Sequence, residues 1–204
     1  MSGVLGVILA AGQSARMGRP KALLPCPPDG RPFVTQLIAA LHDGGLPRIG
    51  VVGRAADEAL RREVEAASPA VPYLENPSPE LGQLSSLLIA VAFAQASGAS
   101  GILVVPVDMP LIRPATVAAA LHAFARSSRP ILRVTHQGRH GHPVLFRASM
   151  FQVLQAADPA LGARAVLRED PSRVEDLEVD DPGVLRDFDY PAEYRALVGG
   201  EPPG

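Results

Sequence analysis

Short apolar runs alternate with longer amphipathic segments along most of this chain, and this alternation is the strongest constraint on its fold. The short runs are rich in Val, Ile and Leu, which is typical of strands. They predict strands at residues 3–10, 49–53, 71–75, 101–107, 131–135 and 143–146. Helical spacing between them predicts helices at residues 33–41, 58–67, 85–96, 116–125 and 150–156. Because strands joined through helices form right-handed crossovers, we expect an α/β fold with a mostly parallel mixed sheet covered on both faces.

The composition and charge of the chain exclude several functional classes. Its 204 residues suffice for one substantial core, so we predict a single domain over residues 1–198 and a disordered tail over residues 199–204. A formal net charge of −2 gives no general attraction to a polyanion, so no nucleic acid partner is expected. The apolar stretch at residues 84–96 falls short of the roughly 20 residues that span a bilayer. With Cys26 as its single cysteine, the protein is expected to be cytoplasmic and away from membranes.

The segment after the first predicted strand combines small residues with two cations. Gly12 and Gly18 let backbone amides approach a ligand closely, and Arg16 and Lys21 carry charge that suits phosphate oxygens. A polyphosphate site is therefore predicted, although a flexible surface turn with solvated cations would have the same spacing. The glycines do not form the dinucleotide-binding fingerprint, and Lys21 lacks the neighbours of a Walker A lysine.

Residues 9–25, LAAGQSARMGRPKALLP, closely resemble the signature of the molybdenum cofactor nucleotidyltransferases and of related sugar-phosphate nucleotidyltransferases. The resemblance continues in residues 76–87 (NPSPELGQLSSL), 105–112 (VPVDMPLI), 141–146 (GHPVLF), 162–167 (GARAVL) and 187–194 (DFDYPAEY). It implies a three-layer Rossmann-like sandwich of the nucleotide-diphosphosugar transferase type. The molybdopterin cytidylyltransferases are the members most resembled, which implies transfer of CMP from CTP to the phosphate of molybdopterin with release of pyrophosphate.

The resemblance also implies roles for individual residues. It places base and ribose contacts on Leu9, Ala10, Ala11 and Gly12, and triphosphate contacts on Arg16 and Lys21. Further nucleotide contacts are implied for Asn76, Gln83, Ser85 and Ser86, of which the last three also open a predicted helix and fit its N-terminus. His142 and Pro143 resemble the segment near the second substrate, with a structural histidine as the alternative.

Asp108 follows an apolar run and is expected at the carboxyl end of a central strand, where open α/β sheets bind ligands. It resembles the family's metal-binding aspartate and is expected to be catalytic together with Arg16 and Lys21. Capping of the following helix is the alternative reading.

Asp189 resembles the second metal-binding aspartate of the family. The residues around it depart from the family's motif at Tyr190, Ala192 and Glu193, so Asp187 stays an alternative ligand. Magnesium prefers oxygen ligands and is commonly held by one or two carboxylates together with substrate phosphates. Mg²⁺ is therefore the predicted cofactor.

No catalytic histidine is predicted. A phosphate nucleophile is already anionic at neutral pH, so the transfer needs positioning and charge neutralisation more than a general base. His136, His140 and His142 would offer a transition-metal site only if one strand ran unbroken through Gly138 and Gly141.

Alternatives remain for the base of the donor nucleotide and for the identity of the acceptor. Related guanylyltransferases carry glycines where Ala10 and Ala11 stand, and the added methyl groups are expected to favour CTP over the larger GTP. The same chemistry would serve a sugar phosphate or another phosphorylated metabolite as the acceptor. A noncatalytic nucleotide or cofactor carrier for the maturation of a client molybdoenzyme is a further alternative. A complete set of Arg16, Lys21, Asp108 and Asp189 argues against such a carrier.

Overall fold

A seven-stranded mixed sheet lies at the centre of the part of the chain that the structure describes. The structure is a computed structural model, and it describes residues 3–14, 16–159 and 162–199. The strands are β1 (Val4–Leu9), β4 (Ile49–Arg54), β5 (Tyr73–Asn76), β6 (Gly101–Pro106), β7 (Ile131–His136), β8 (Arg139–Arg147) and β9 (Val174–Glu178). Their spatial order is β5-β4-β1-β6-β8-β7-β9, and only β8 is antiparallel to its neighbours. Two short strands, β2 (Pro25–Cys26) and β3 (Arg31–Pro32), form a separate antiparallel pair.

Helices cover both faces of this sheet. One face packs against α1 (Phe33–Asp43), α2 (Glu58–Ala67), α4 (Pro114–Arg126) and α7 (Pro191–Val198), and the other against α3 (Gln83–Ala96), α5 (Phe151–Gln155) and α6 (Ala163–Glu169). Strand β1 is apolar on both faces of the sheet. Its Ile8 packs in the core on the side of α1, α2, α4 and α7, whereas Leu5, Val7 and Leu9 pack in the core on the side of α3, α5 and α6. The predicted three-layer α/β sandwich is confirmed. Within the described ranges, no helix has both the length and the apolar character needed to cross a membrane.

Each of the six predicted strands and five predicted helices occurs, with ends displaced by a few residues. Strand β9 and helices α6 and α7 were not predicted. β9 lies at the edge of the sheet and three of its five residues are acidic, so its composition resembles a solvated loop. The single domain stays a prediction. The predicted tail lies outside the described residues except for Gly199, which caps α7.

The order of the strands brings several loops to one edge of the sheet. β5, β4, β1 and β6 are parallel neighbours, so the loops that follow them lie side by side. The chain moves from β1 outwards to β4 and β5 and then returns to the other side of β1 as β6. This reversal creates a crevice at the carboxyl ends of β1 and β6, where open α/β sheets bind ligands. β8 runs in the opposite direction, so its amino end lies at the same edge.

Asp181 is a buried carboxylate that joins the segment after β9 to the start of α4. Its Oδ2 accepts hydrogen bonds from the Thr116 hydroxyl at 2.6 Å and from the Arg113 N–H at 3.0 Å. Its Oδ1 accepts one from the Gly183 N–H at 2.9 Å. Gly183 has no room for a side chain, because a Cβ would lie 2.3 Å from the Leu111 carbonyl oxygen. These contacts fix the path along which residues 182–189 approach the end of β6.

Replacing Asp181 by Ala is expected to lower the free energy of unfolding by about 2–4 kcal/mol, because a hydroxyl and two backbone N–H groups lose their buried acceptor. Asp180→Ala is the matched control, since Asp180 is exposed and only its backbone carbonyl contacts Arg113. That variant is expected to change the free energy of unfolding by less than about 0.5 kcal/mol. Urea unfolding followed by circular dichroism measures both, and equal stability of the two variants would contradict the role of Asp181.

Candidate active site

A cleft with a volume of about 290 Å³ opens at the carboxyl edge of the sheet. The loop after β1 forms its floor, and the loops after β4, β5 and β6 form its walls. Of the predicted site residues, Leu9, Ala10, Ala11, Gly12, Lys21, Gln83, Ser86 and Asp108 line this cleft. Residues predicted from separate segments of the sequence therefore meet at one place.

Hydrogen bonds to β4 hold the loop after β1 in position. The Ala10 N–H donates to the Val52 carbonyl at 2.7 Å, and Arg54 Nε donates to the Ala11 carbonyl at 3.1 Å. A Cβ at Gly12 would meet no protein atom within 4 Å, so a ligand can approach the backbone there. Ala10 also packs into the core beneath the loop. Ala10 and Ala11 are 7% and 4% exposed, and both line the cleft, so a steric effect on a bound base can come from either methyl group.

Four charged side chains meet at the end of the cleft below β6. The Lys21 ammonium lies 3.2 Å from Asp108 Oδ2 and also pairs with Asp189 Oδ1. Arg16 Nη1 donates to Asp189 Oδ2 at 2.8 Å. The Lys21 side chain is only 9% exposed, whereas that of Arg16 is 64% exposed, so Lys21 lies at the bottom of the cluster and Arg16 at its rim.

The pKa shifts in this cluster follow from burial and from the pairing of opposite charges. Burial alone would lower the pKa of Lys21, but the hydrogen bonds and negative charges of Asp189 and Asp108 outweigh it and raise the pKa. Burial raises the pKa of Asp108, although Lys21 opposes this shift. The hydrogen bond from Lys21 lowers the pKa of Asp189, with help from Arg16. Lys21 therefore stays charged. Burial destabilises the charged form of Asp108 more than that of Asp189.

Phe188 holds Asp189 beside Asp108. The Phe188 N–H donates to the Asp108 carbonyl at 3.0 Å, and the buried Phe188 ring packs against Phe33 with 5.7 Å between ring centroids. Glu193 Oε2 accepts hydrogen bonds from the N–H groups of Asp189 at 2.7 Å and Tyr190 at 2.8 Å. Asp189, rather than the exposed Asp187, thus meets Lys21.

Asn76 lies behind the cleft and orders its wall. It is 1% exposed, and its Nδ2 donates to the hydroxyls of Ser85 at 2.8 Å and Ser86 at 2.9 Å. Its Oδ1 accepts a hydrogen bond from the Ser78 N–H at 2.9 Å. Gln83 is the first residue of α3 and lines the cleft with Ser86. Asn76 and Ser85 do not line it, so their nucleotide contacts stay predictions.

The three histidines lie on two strands. A turn at residues 137–138 separates β7, which ends at His136, from β8, which contains His140 and His142. The unbroken strand that a shared histidine face requires is therefore not formed. Among the described residues, no group of three or more His, Cys, Asp and Glu side chains is placed to hold a metal ion.

His142 and Pro143 lie in an irregular part of β8, towards the edge of the sheet at which the cleft opens. β8 has two more residues than β7 between their paired positions, which produces a bulge at residues 141–143. Burial, assisted by the positive charge of Arg164, lowers the pKa of His142 to about 4, so its ring is neutral at pH 7. Neither residue lines the cleft, and their contact with a second substrate stays a prediction.

Asp57, Pro79 and Gly82 also line the cleft, and none of them was predicted. Asp57 follows β4, and the other two follow β5. Pro79 and Gly82 lie in the segment 76–87 that resembles the family, so the sequence did offer a signal for them, although no role was assigned to either. Asp57 had no such signal beyond its position soon after β4, the strand beside β1.

Together, the crevice between β1 and β6, the small-residue loop and the paired aspartates define a nucleotidyltransferase fold of the nucleotide-diphosphosugar transferase type. The sequence pattern of the MobA-like NTP transferase domain matches residues 6–175. The chain belongs to this family.

Two relatives and one solved protein illustrate the similarity. The chain is 37% identical over 129 residues to a protein of Rhodopirellula baltica named probable molybdenum cofactor guanylyltransferase, which covers 63% of this chain and 59% of that protein. It is 30% identical over 202 residues to the purine catabolism protein PucB of Bacillus subtilis, covering 94% of each. A crystal structure of Rv0371c from Mycobacterium tuberculosis has a TM-score of 0.82 at 25% identity, covering 98% of this chain and 99% of that one. A second Rv0371c structure, a complex with manganese, has a TM-score of 0.74 at 25% identity and the same coverage. The chain thus spans less than two thirds of the guanylyltransferase that it matches.

The low pKa of His142 predicts a pH dependence of stability. Because the folded state disfavours the protonated ring, whose pKa is near 6.5 when unfolded, stability from neutral His142 is present above about pH 6.5 and is lost as the pH falls towards about 4. The free energy of unfolding should fall by up to about 1.4 kcal/mol per pH unit more than in a His142→Gln variant. Urea unfolding at pH 7, 6 and 5 measures this difference. Parallel pH profiles of the two proteins would show that His142 does not titrate in this way.

Proposed function

We propose that this protein is a nucleotidyltransferase that transfers a nucleoside monophosphate from an NTP to a phosphorylated acceptor. The observation that carries this proposal is the convergence of Asp108 and Asp189 on Lys21, with Arg16 at the rim of the same cleft. Cations at this place suit a triphosphate, and the two carboxylates suit a divalent metal ion. A solvated surface turn would leave Lys21 exposed and unpaired, whereas Lys21 is buried and paired with both aspartates.

Asp108 and Asp189 fit a divalent cation by the chemistry of their oxygens. Each presents a carboxylate oxygen to the point where the Lys21 ammonium lies. Two such ligands with substrate phosphates are a common set for Mg²⁺, and we propose Mg²⁺ as the cofactor. The manganese complex of Rv0371c supports a divalent cation in a protein of this fold. When bound, the ion would offset negative charge on the α-phosphate and on the departing pyrophosphate.

Lys21 has two sets of partners in this proposal. In the absence of nucleotide, its ammonium neutralises Asp108 and Asp189. When those oxygens bind a cation instead, Lys21 is released to bind the triphosphate, whose charge arrives together with the cation. Arg16 lies closer to solvent and is placed to bind the outer phosphates. The exchange keeps the buried charges balanced both with and without substrate.

The acceptor needs no general base. A phosphate monoester is an anionic nucleophile at pH 7, so orientation in line with the leaving pyrophosphate is the main requirement. We propose molybdopterin as the acceptor, which is supported by the name of the Rhodopirellula baltica relative. A client molybdoenzyme that receives the product is part of this proposal.

We propose CTP as the donor. The support is the methyl groups of Ala10 and Ala11, which line the cleft where related guanylyltransferases have glycine. A methyl-sized difference discriminates by about 1–3 kcal/mol, which corresponds to a preference for CTP over GTP of roughly ten- to two-hundredfold. The relative's name refers to guanylyl transfer, so a comparison of the two nucleotides is decisive.

The direct test is product identification. The protein is incubated with Mg²⁺, molybdopterin and one NTP at a time; we expect pyrophosphate release and a product whose mass equals that of molybdopterin plus CMP less one water. A sugar phosphate used more efficiently than molybdopterin would change the acceptor while keeping the reaction. Binding of NTP without pyrophosphate release with any acceptor would favour a noncatalytic carrier.

The role of the aspartates predicts a graded set of variants. Asp108→Asn and Asp189→Asn are each expected to lower kcat by roughly a hundred- to a thousandfold, because one charged ligand of the cation is lost. Asp187→Asn is the matched control, since Asp187 is exposed and does not meet Lys21, and kcat should stay within about threefold. Steady-state rates of pyrophosphate release measure all three. A larger loss in Asp187→Asn than in Asp189→Asn would reverse the assignment of the second ligand.

Removal of the Lys21 charge is expected to lower kcat but to strengthen the binding of a divalent cation. Lys21→Met should lower kcat by roughly a hundred- to a thousandfold, because a preorganised cation is lost from the triphosphate site. The same variant should bind Mn²⁺ in the absence of nucleotide about tenfold more tightly than the wild type, because no ammonium competes for the carboxylates. Electron paramagnetic resonance of free Mn²⁺ measures this binding. Unchanged Mn²⁺ affinity would show that Lys21 does not occupy the cation's place.

A further inference from the structure

Asp57 places a carboxylate in the cleft, in the loop that follows β4. It is the N-cap of α2, and its Oδ1 accepts a hydrogen bond from the Leu60 N–H at 3.0 Å. Within the described residues, its Oδ2 has no hydrogen-bond or ion-pair partner. The side chain is half-buried and lines the cleft. One oxygen therefore orients the side chain while the other is free to accept a hydrogen bond from a ligand.

The position of Asp57 along the sheet edge places it at the base end of a bound nucleotide. Asp57 follows β4, whereas Asp108 follows β6, and β1 lies between these strands. At about 4.8 Å per strand, the two loops are roughly 10 Å apart, which suits a nucleotide with its phosphates at Lys21 and Asp108. The hydrogen bonds of Arg54 Nε to the Ala11 carbonyl and of the Asp57 N–H to the Arg54 carbonyl tie Asp57 to the loop after β1.

The charge of Asp57 determines what it can contact. A carboxylate would repel the triphosphate, so its favourable partners are donors on the nucleoside, either the ribose hydroxyls or an N–H group of the base. Only a contact with the base would affect which NTP is bound. The methyl groups of Ala10 and Ala11 can select the base only by its size, and so cannot separate cytosine from uracil, which are nearly equal in size. These two bases differ at the 4-position, where cytosine carries an amino donor and uracil a carbonyl acceptor.

We propose that Asp57 accepts a hydrogen bond from the exocyclic amino group of the donor base and thereby selects CTP over UTP. This inference rests on the proposed function and names the residue that completes its base specificity. The amino group of cytosine satisfies the free Oδ2, whereas the carbonyl of uracil would face it with a second acceptor. Asp57 is in this sense a specificity residue and takes no part in the transfer itself.

Asp57→Asn is the variant that tests the assignment. Asparagine is as good an N-cap as aspartate, so its side-chain oxygen can keep the hydrogen bond to Leu60 while its NH₂ group replaces the free Oδ2. An NH₂ donor repels the amino group of cytosine and suits the 4-carbonyl of uracil. Glu58→Gln is the matched control, because Glu58 lies in the same helical turn, loses the same charge and does not line the cleft.

The readout is the affinity of each protein for CTP and UTP, measured by calorimetry in the presence of Mg²⁺, with thermal unfolding as the check on folding. We expect the wild type and Glu58→Gln to bind CTP at least about tenfold more tightly than UTP. In Asp57→Asn, we expect this ratio to fall at least about tenfold and to approach or invert unity. An unchanged ratio in folded Asp57→Asn would overturn the assignment and leave the proposed function intact. A wild type that binds GTP but not CTP, or binds no NTP, would overturn the proposed donor and the assignment together.

Discussion

The pairing of Lys21 with Asp108 and Asp189 is the interaction on which the site depends. Two carboxylates held this close would repel each other, and burial makes the repulsion of Asp108 more costly. A single ammonium between them offsets both, and Arg16 neutralises the remaining side of Asp189. The loop after β1, the end of β6 and the segment before α7 are thereby joined by charge, although they come from distant parts of the chain.

The fold was largely predictable because most of its elements bury apolar side chains on a regular period. β1 and β6 are covered on both faces and read as continuous apolar runs, so their positions were evident. β9 was missed because an edge strand needs few apolar residues. Its acidic side chains are instead held by neighbours, as in the paired hydrogen bonds between Arg133 and Asp176 at 2.7 and 2.9 Å. Such a pattern cannot be distinguished from a solvated acidic loop before the partner strand is known.

Site residues could be predicted where their chemistry agrees with a family motif. They were harder to predict where contacts between distant segments determine their position. That Asp189 lies near Asp108 was expected from the resemblance, whereas the pairing of both with Lys21 was not. The hydrogen bond from Phe188 to Asp108 and the burial of the Phe188 ring, which hold Asp189 there, could not be read from the sequence. Asn76 was assigned to the nucleotide because its segment resembles a binding motif, yet its amide is committed to Ser85 and Ser86. Asp57 lies next to an alanine-rich turn and gave no signal until β4 was placed beside β1.

The bond between the Phe188 N–H and the Asp108 carbonyl ties the cleft to the core around Phe33. Phe188 and Tyr194 are each 1% exposed, and both rings pack against Phe33. Asp189 is therefore held beside Lys21 by the same contacts that bury these two rings. A substitution that loosens this packing would displace a charge in the cleft, although the substituted residue lies outside it.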